Sequence, residues 1–441
     1  LGTDWMHTTD AKSIQDRMKD DRQRIINAKL DPPSKHKIFY PHQARLYKWS
    51  NEVQHGGLVT AGVGTGKTLP MGKHLCGSPD QRPSLVICPN SLKRNWYNEL
   101  TSKWGDNLFS PETVAIVEGT AAQRRKILND DHYLVYIINY EALPSHSSIA
   151  HYGGAPKLTD KEKLPKELNR PWDTVIVDEG HRIVNPKNKS TRAVWSIRDS
   201  AEKCFVLTAT PIANHAGDVW SILRTIDPEL FPSKTKFLDM FAIVTENHFG
   251  YQEIKGFQNG NYETFKKVIE PYHFHVDPDD VIKLPPVIRH QRYVKLSTKA
   301  QKQYNALSKK KMLELPDMPP LPVSEQIVRQ TRLQQIAQGS PLDMDDDGNI
   351  FMDPKSSKID ELMDLLESIP PGEKVVVLSL SKDLLDNAFN RTQEWLANED
   401  RGVATIVTGD TPAELREVRI KEFQESPVVT CFFATLATAS E

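Results

Sequence analysis

Ala61-Gly62-Val63-Gly64-Thr65-Gly66-Lys67-Thr68 is the stretch that decides the fold. It follows the apolar residues Gly57-Leu58-Val59 and precedes a segment with helical texture. A glycine-rich turn between a strand and a helix lets backbone N–H groups point inward. Together with the helix N-terminus they cradle phosphate oxygens. Lys67 is then placed for the β and γ phosphates, and the Thr68 hydroxyl completes a magnesium shell. Gly62, Gly64, Thr65, Gly66, Lys67 and Thr68 are therefore candidate nucleotide-binding residues. The strict pattern has Gly where Ala61 stands, but glycine is kept at the tight positions. Read alone, the stretch is also a flexible turn followed by a chance Lys-Thr.

The second anchor stands downstream, where Asp178-Glu179 follows the apolar run Val175-Ile176-Val177. A magnesium-bound nucleotide needs a carboxylate at the C-terminal end of a central strand. Asp178 is the candidate to hold Mg2+, largely through water, and Glu179 the candidate to polarise the attacking water. Two acids after a strand can also be plain solvated residues. With a phosphate loop upstream, they point to ATP with Mg2+.

Working outward, short apolar runs recur at Leu85–Cys88, Val114–Val117, Leu134–Ile138, Val175–Val177 and Phe205–Leu207. Continuous runs of this length suit parallel strands buried on both faces. Between them, Leu92, Trp96 and Leu100 share one face of a predicted helix over 91–104, with Ser91 as N-cap. Alternating strand and helix implies a doubly wound α/β lobe. From 215 to 345 the strand runs fade. Phe231, Phe237, Phe241 and Phe249 suggest a helical, aromatic-rich insertion, with further helices over 299–315 and 324–338. Strand runs return at Val375–Leu378, Val403–Val407 and Val428–Phe433. The expected organisation is an N-terminal helix and linker over 1–36 and a first lobe over 37–230. A helical insertion and brace follows over 231–345, then a second lobe over 346–441.

Bulk properties narrow the function. A chain of 441 residues exceeds one compact core. A net charge of −2 weighs against a polybasic binding mode and leaves open a cleft with a few local backbone contacts. Cys76, Cys88, Cys204 and Cys431 lack paired spacing and read as buried thiols, not as a disulfide frame or zinc site. No apolar run is long enough for a membrane helix, and the N-terminus lacks an apolar signal core. Asp343-x-Asp345-x-Asp347-Gly348 mimics half of a calcium loop, but Pro354 stands where the bidentate Glu is needed. It reads as a polar turn. Lys309-Lys310-Lys311 and Arg124-Arg125-Lys126 read as solvated helix faces, with a nuclear address or a backbone contact as the alternative for the lysines.

These residues resemble one family. Asp178-Glu179-Gly180-His181 is similar to the DExH box of superfamily 2 helicases. Leu207-Thr208-Ala209-Thr210-Pro211-Ile212-Ala213-Asn214 resembles the coupling motif of its Swi/Snf-like ATPase branch. Pro89-Asn90-Ser91-Leu92 with Trp96 and Glu99, and Ile137 to Leu143, look like further segments of that branch. Tyr40-Pro41-His42-Gln43 resembles its adenine-reading element. Leu284-Pro285-Pro286, Val294–Ser297, Ser356–Ile359, Lys374–Ser379, Thr408-Gly409-Asp410 and Arg416–Phe423 resemble segments of its second half. Gly180 replaces the commoner Ala, a conservative change, and Ala209 replaces the usual Gly. The last residues, Ala434–Glu441, look like the fifth motif. The sixth, with its arginine fingers, is expected beyond Glu441.

The resemblance implies two RecA-like lobes that form an ATP-driven translocase on duplex DNA. A strand-separating helicase or a non-catalytic clamp is the alternative. Gln43 is implied to read the adenine edge, since an amide both donates and accepts. Lys67, Asp178 and Glu179 are implied to serve hydrolysis, and Thr208 and Thr210 to couple it to the nucleic-acid cleft. Ser91, Lys93, Ser379, Thr408 and Gly409 are implied to touch the DNA backbone. Tyr140 either packs beside that track or belongs to the core. Such contacts carry no base identity. The compactness of the chain leans towards a cytoplasmic bacterial or phage protein, with a nuclear one as the alternative.

Overall fold

The apolar runs build two units that divide between residues 286 and 287. The computed structural model describes residues 39–441 apart from 63, 78–81, 102–107, 210–215, 247–251, 258–260, 282–287, 311, 314–320, 323–325, 340, 345–349 and 440–441. The expected N-terminal helix and linker, Phe249, Thr210 and Asp345–Asp347 lie outside the described residues.

In the first unit the strands are β1 (Gly56–Ala61), β2 (Ser84–Cys88), β3 (Val114–Ile116), β4 (Val135–Asn139), β5 (Trp172–Asp178) and β6 (Ala201–Thr208). They join β9 (His273–Val276) in a parallel sheet of order β3-β4-β2-β5-β6-β1-β9. Because strand side chains alternate, each of β1 to β6 feeds two cores. Leu85, Ile87, Val175, Val177, Cys204 and Val206 face one, with Trp172, Trp195 and Trp220. Val59, Val86, Cys88, Ile176, Phe205 and Leu207 face the other, with Trp49, Met71 and Trp96. Burial on both faces is what the continuous apolar runs implied.

The segment read as a helical insertion also holds strands. β7 (Ala242–Glu246) and β8 (Gln252–Phe257) form an antiparallel hairpin. β9 pairs with β1, placing His275 beside Thr60. Only Phe274 and Val276 of β9 are buried, so His-Phe-His-Val is an alternating edge strand that a search for continuous apolar runs passes over. The aromatic residues do cluster: the rings of Phe237 and Phe241 lie 5.1 Å apart and both meet Phe265. The helix expected over 91–104 is a 3-10 turn, Asn90–Leu92, followed by an α-helix, Lys93–Thr101.

The second unit contains two short hairpins, β10 (Met312–Leu313) with β11 (Leu321–Pro322) and β12 (Pro341–Met344) with β13 (Ile350–Met352). Its parallel sheet has the order β14-β16-β15, from β14 (Val375–Ser379), β15 (Val403–Val407) and β16 (Val429–Thr435). The helices Ser357–Ser368 and Lys382–Asn398 cover one face, around Ile359, Met363, Leu385, Leu396 and Phe433. The helix Ala413–Glu425 lies over β15 and β16 and leaves Val376 and Leu378 of β14 about half exposed, at 54% and 48%. Both units are α/β with parallel sheets. No helix among the described residues is long and apolar enough to cross a membrane.

Candidate active site

All strands of the first sheet run the same way, so their C-terminal ends share one edge. β1 leads there into the phosphate loop, β5 into Asp178-Glu179, and β6 ends at Thr208. Thr60 lies beside Thr208 and Asp178 beside Leu207 in the register. Residues remote in sequence therefore meet because parallel pairing stacks their strand ends.

The loop reverses direction at Gly64 and Gly66, with φ of 83° and 72°. Gly66 is needed twice over: its φ disfavours an L side chain, and a Cβ there would sit 2.3 Å from Gln43 Nε2. Gly62 is half-buried, Gly64 exposed and Thr65 buried, with the Thr65 hydroxyl donating to the Gly62 carbonyl at 2.8 Å. Lys67 precedes the helix Thr68–Leu75, and its Nζ donates to the Ala61 carbonyl at 2.8 Å. Thr68, the first residue of that helix, is half-buried.

Gln43 approaches from the helix Pro41–Glu52. Its Nε2 donates to the Gly66 carbonyl at 3.0 Å, and its Oε1 accepts the Tyr40 N–H at 3.0 Å. Its carboxamide thus braces the phosphate loop. His42, which sequence reasoning quoted but gave no role, places Nε2 2.8 Å from the Thr65 carbonyl. The signal was adjacency: on a helix that begins at Pro41, neighbours can both reach the loop.

Asp178 is 7% exposed. Its Oδ2 accepts the Trp96 indole N–H at 2.8 Å and its Oδ1 the Glu179 N–H at 3.0 Å. Burial pushes the carboxyl above the usual carboxylate range, while the Trp96 hydrogen bond and the charge of Lys67 pull it back. Glu179 adopts φ 54°, ψ 53°, the left-handed region that costs a non-glycine residue roughly 1–2 kcal/mol. Its carboxylate lies 3.2 Å from His181 Nδ1. The next residue, Gly180, is pressed against β6: a Cβ would stand 2.2 Å from Val206 Cγ1. The family's usual Ala is therefore not a conservative exchange in this chain.

The oxygen-only donor set fits Mg2+, which takes one or two carboxylates plus phosphate and water oxygens. Asp178 and Thr68 would hold it. Among the described residues no group of three or more His, Cys, Asp or Glu forms an all-protein metal cage.

Thr208 is fully buried at the end of β6. On the opposite side of β1, Thr60 Oγ1 meets His273 Nε2 at 2.5 Å and His275 Nδ1 at 2.8 Å. Only the pairing of β9 with β1 brings these histidines to the site's edge.

The expected backbone contacts separate into two groups. Ser91 is exposed on the 3-10 turn. Lys93 is buried, 3.8 Å from Glu118, and burial lowers its pKa while Glu118 raises it. Tyr140 is 3% exposed and its hydroxyl donates to the Asp178 carbonyl. It takes the core alternative, because its hydroxyl is spent under β5 and leaves no face for a nucleic-acid strand. In the second unit, Ser379 ends β14 and Thr408-Gly409 follow β15. Arg416, which opens the family-like segment Arg416–Phe423, donates to the carbonyls of Gly409 at 3.0 Å and Thr411 at 2.8 Å and so shapes that turn. The four thiols are free, but Cys76 is exposed, unlike the buried Cys88, Cys204 and Cys431. Burial pushes the Cys204 thiol up to about 12.

Among known proteins, the chain is 28% identical over 210 residues to "ATP-dependent DNA helicase DDM1" of Arabidopsis thaliana, covering 45% of this chain and 24% of that one. It is 27% identical over 256 residues to "DNA repair and recombination protein RAD54-like" of Danio rerio, covering 52% and 32%. It thus spans a quarter to a third of these relatives' lengths. Among solved structures, the "Sulfolobus solfataricus SWI2/SNF2 ATPase core in complex with dsDNA" is 21% identical, with a TM-score of 0.44, covering 92% of this chain and 80% of that one. The SNF2-related domain family matches residues 3–337, well over half of the sequence, and the chain belongs to that family.

Proposed function

We propose that this chain is the motor core of a DNA-dependent ATPase that couples hydrolysis to movement along duplex DNA. The observation that carries the reading is the shared strand-end edge of one parallel sheet. It presents a phosphate loop and, from β5, a buried carboxylate close enough for Lys67 to stabilise its charge. Membership of the SNF2-related family and the likeness to relatives named as a DNA helicase and a DNA repair protein support it.

In this reading the loop's backbone N–H groups and the N-terminus of the helix Thr68–Leu75 bind the phosphates. Lys67 Nζ exchanges the Ala61 carbonyl for the β and γ phosphate oxygens. Gln43 and His42 hold the loop in shape, and Gln43 offers one amide edge to adenine. Mg2+, when bound, supplies charge neutralisation at the transferred phosphoryl group. Asp178 and Thr68 would hold that ion. Glu179, lifted out of helical geometry by its left-handed backbone, orients the attacking water. Thr208, Thr210 and the turns at Ser91, Ser379, Thr408 and Gly409 link this centre to the DNA backbone.

The test uses the full-length protein. Lys67→Ala should weaken ATP binding and abolish turnover. Glu179→Gln should retain ATP binding and stop hydrolysis. Parental turnover in Glu179→Gln refutes the assignment. Triplex displacement measured beside fork unwinding separates translocation from strand separation, and translocation is the expected output.

A further inference from the structure

We propose that Trp96 is a positioning residue for the nucleotide site: its indole N–H sets the plane of the Asp178 carboxylate, so that the free lone pairs of both oxygens face the magnesium shell. This rests on the reading of Asp178 as the magnesium anchor.

An ionised carboxylate has about four acceptor sites. Two are used inside the protein, one on each oxygen: Trp96 Nε1 on Oδ2 and the Glu179 N–H on Oδ1. Donors on opposite oxygens fix both side-chain torsions. The backbone beneath is fixed as well, since Asp178 pairs with Leu207 and its carbonyl accepts the Tyr140 hydroxyl. The carboxylate therefore has one orientation before any ligand arrives, which is the arrangement outer partners impose on metal-binding groups.

The donor's chemistry suits the task. An indole N–H cannot accept a hydrogen bond, so it cannot reverse roles with the carboxylate. It carries no charge, so it orients the oxygen without competing with a cation, as Lys or Arg would. Burial alone does not bring an indole N–H to an acceptor: those of Trp49 and Trp220, as deeply buried, have no protein partner among the described residues. Trp96 reaches Asp178 because the helix Lys93–Thr101 packs on one face of the sheet, against β3 and β4, with Trp96 and Leu100 buried in that face's core.

The experiment titrates Mg2+ against binding of a fluorescent ATP analogue to the full-length protein, with an EDTA arm. Trp96→Phe keeps an aromatic ring in the core and removes the donor, at the cost of a small void that the melting temperature reads. It should bind the analogue in EDTA like the parent but require roughly 10- to 100-fold more Mg2+ for the metal-dependent gain. Leu100→Ala, in the same core, should lower the melting temperature without moving the Mg2+ midpoint. A Trp96→Phe protein whose Mg2+ midpoint matches the parent's, while Asp178→Asn loses the metal response, overturns the positioning role and leaves the Asp178 assignment standing. Asp178→Asn with a parental Mg2+ response overturns that assignment, and the proposal with it.

Discussion

Replacing Gly180 by Ala adds one methyl group where the structure has no room for it. The new Cβ would lie 2.2 Å from Val206 Cγ1, whereas ordinary contact begins near 3.4 Å. One side must yield by more than an ångström. Val206 is fully buried in β6, which is hydrogen-bonded to β1 and β5, and a β-branched side chain has little rotamer freedom. The 3-10 turn Gly180–Ile183 must therefore give way, and it carries Glu179 with it. Overpacking of this kind costs about 1–3 kcal/mol. Val206→Ala, which opens space beneath, should cost about 2 kcal/mol alone. In combination the two should fall short of additivity by about 1–2 kcal/mol, because each relieves the other. Urea unfolding followed to the linear-extrapolation limit reads all three values. A Gly180→Ala protein within about 0.5 kcal/mol of the parent, or a strictly additive double variant, refutes the reasoning.

DNA affinity should fall by close to one log unit per log unit of salt for each phosphate neutralised, and should vary little with sequence. A short preferred site that survives high salt in a filter-binding series would contradict backbone recognition. The fold itself should lose stability in mild acid through His74. Burial and the nearby Lys203 lower its pKa from 6.5 to about 3, and the ring lies between Ser50 and Thr174 with Phe205 edge-on. The unfolded state takes up the proton first, so this contribution is complete above pH 6.5. It is lost at about 1.4 kcal/mol per pH unit as the pH falls from there towards 3. In His74→Gln, unfolding monitored across that window should show a shallower pH dependence; an unchanged slope would remove His74 as the cause.

Several features were legible in the sequence because their cause is local. The phosphate loop needs glycines at positive φ between a strand and a helix, and both the residue type and the order are visible in Ala61–Thr68. The strands β2, β5 and β6 announce themselves because a strand buried on both faces must be apolar throughout. Asp178 could be placed at a strand end for the same reason. Tertiary structure decided what depends on contact between distant segments. Trp96 and Asp178 stand far apart in the chain, and only the packing of the helix Lys93–Thr101 on the sheet joins indole to carboxylate. Tyr140 had two readings until its hydroxyl was found beneath β5. The strand β9 was hidden because an edge strand needs only alternate apolar residues, so its histidines gave no strand signal until β1 paired with them. The crowding at Gly180 is likewise a matter of register: Ala is acceptable to the turn itself, and what forbids it is Val206 on the neighbouring strand.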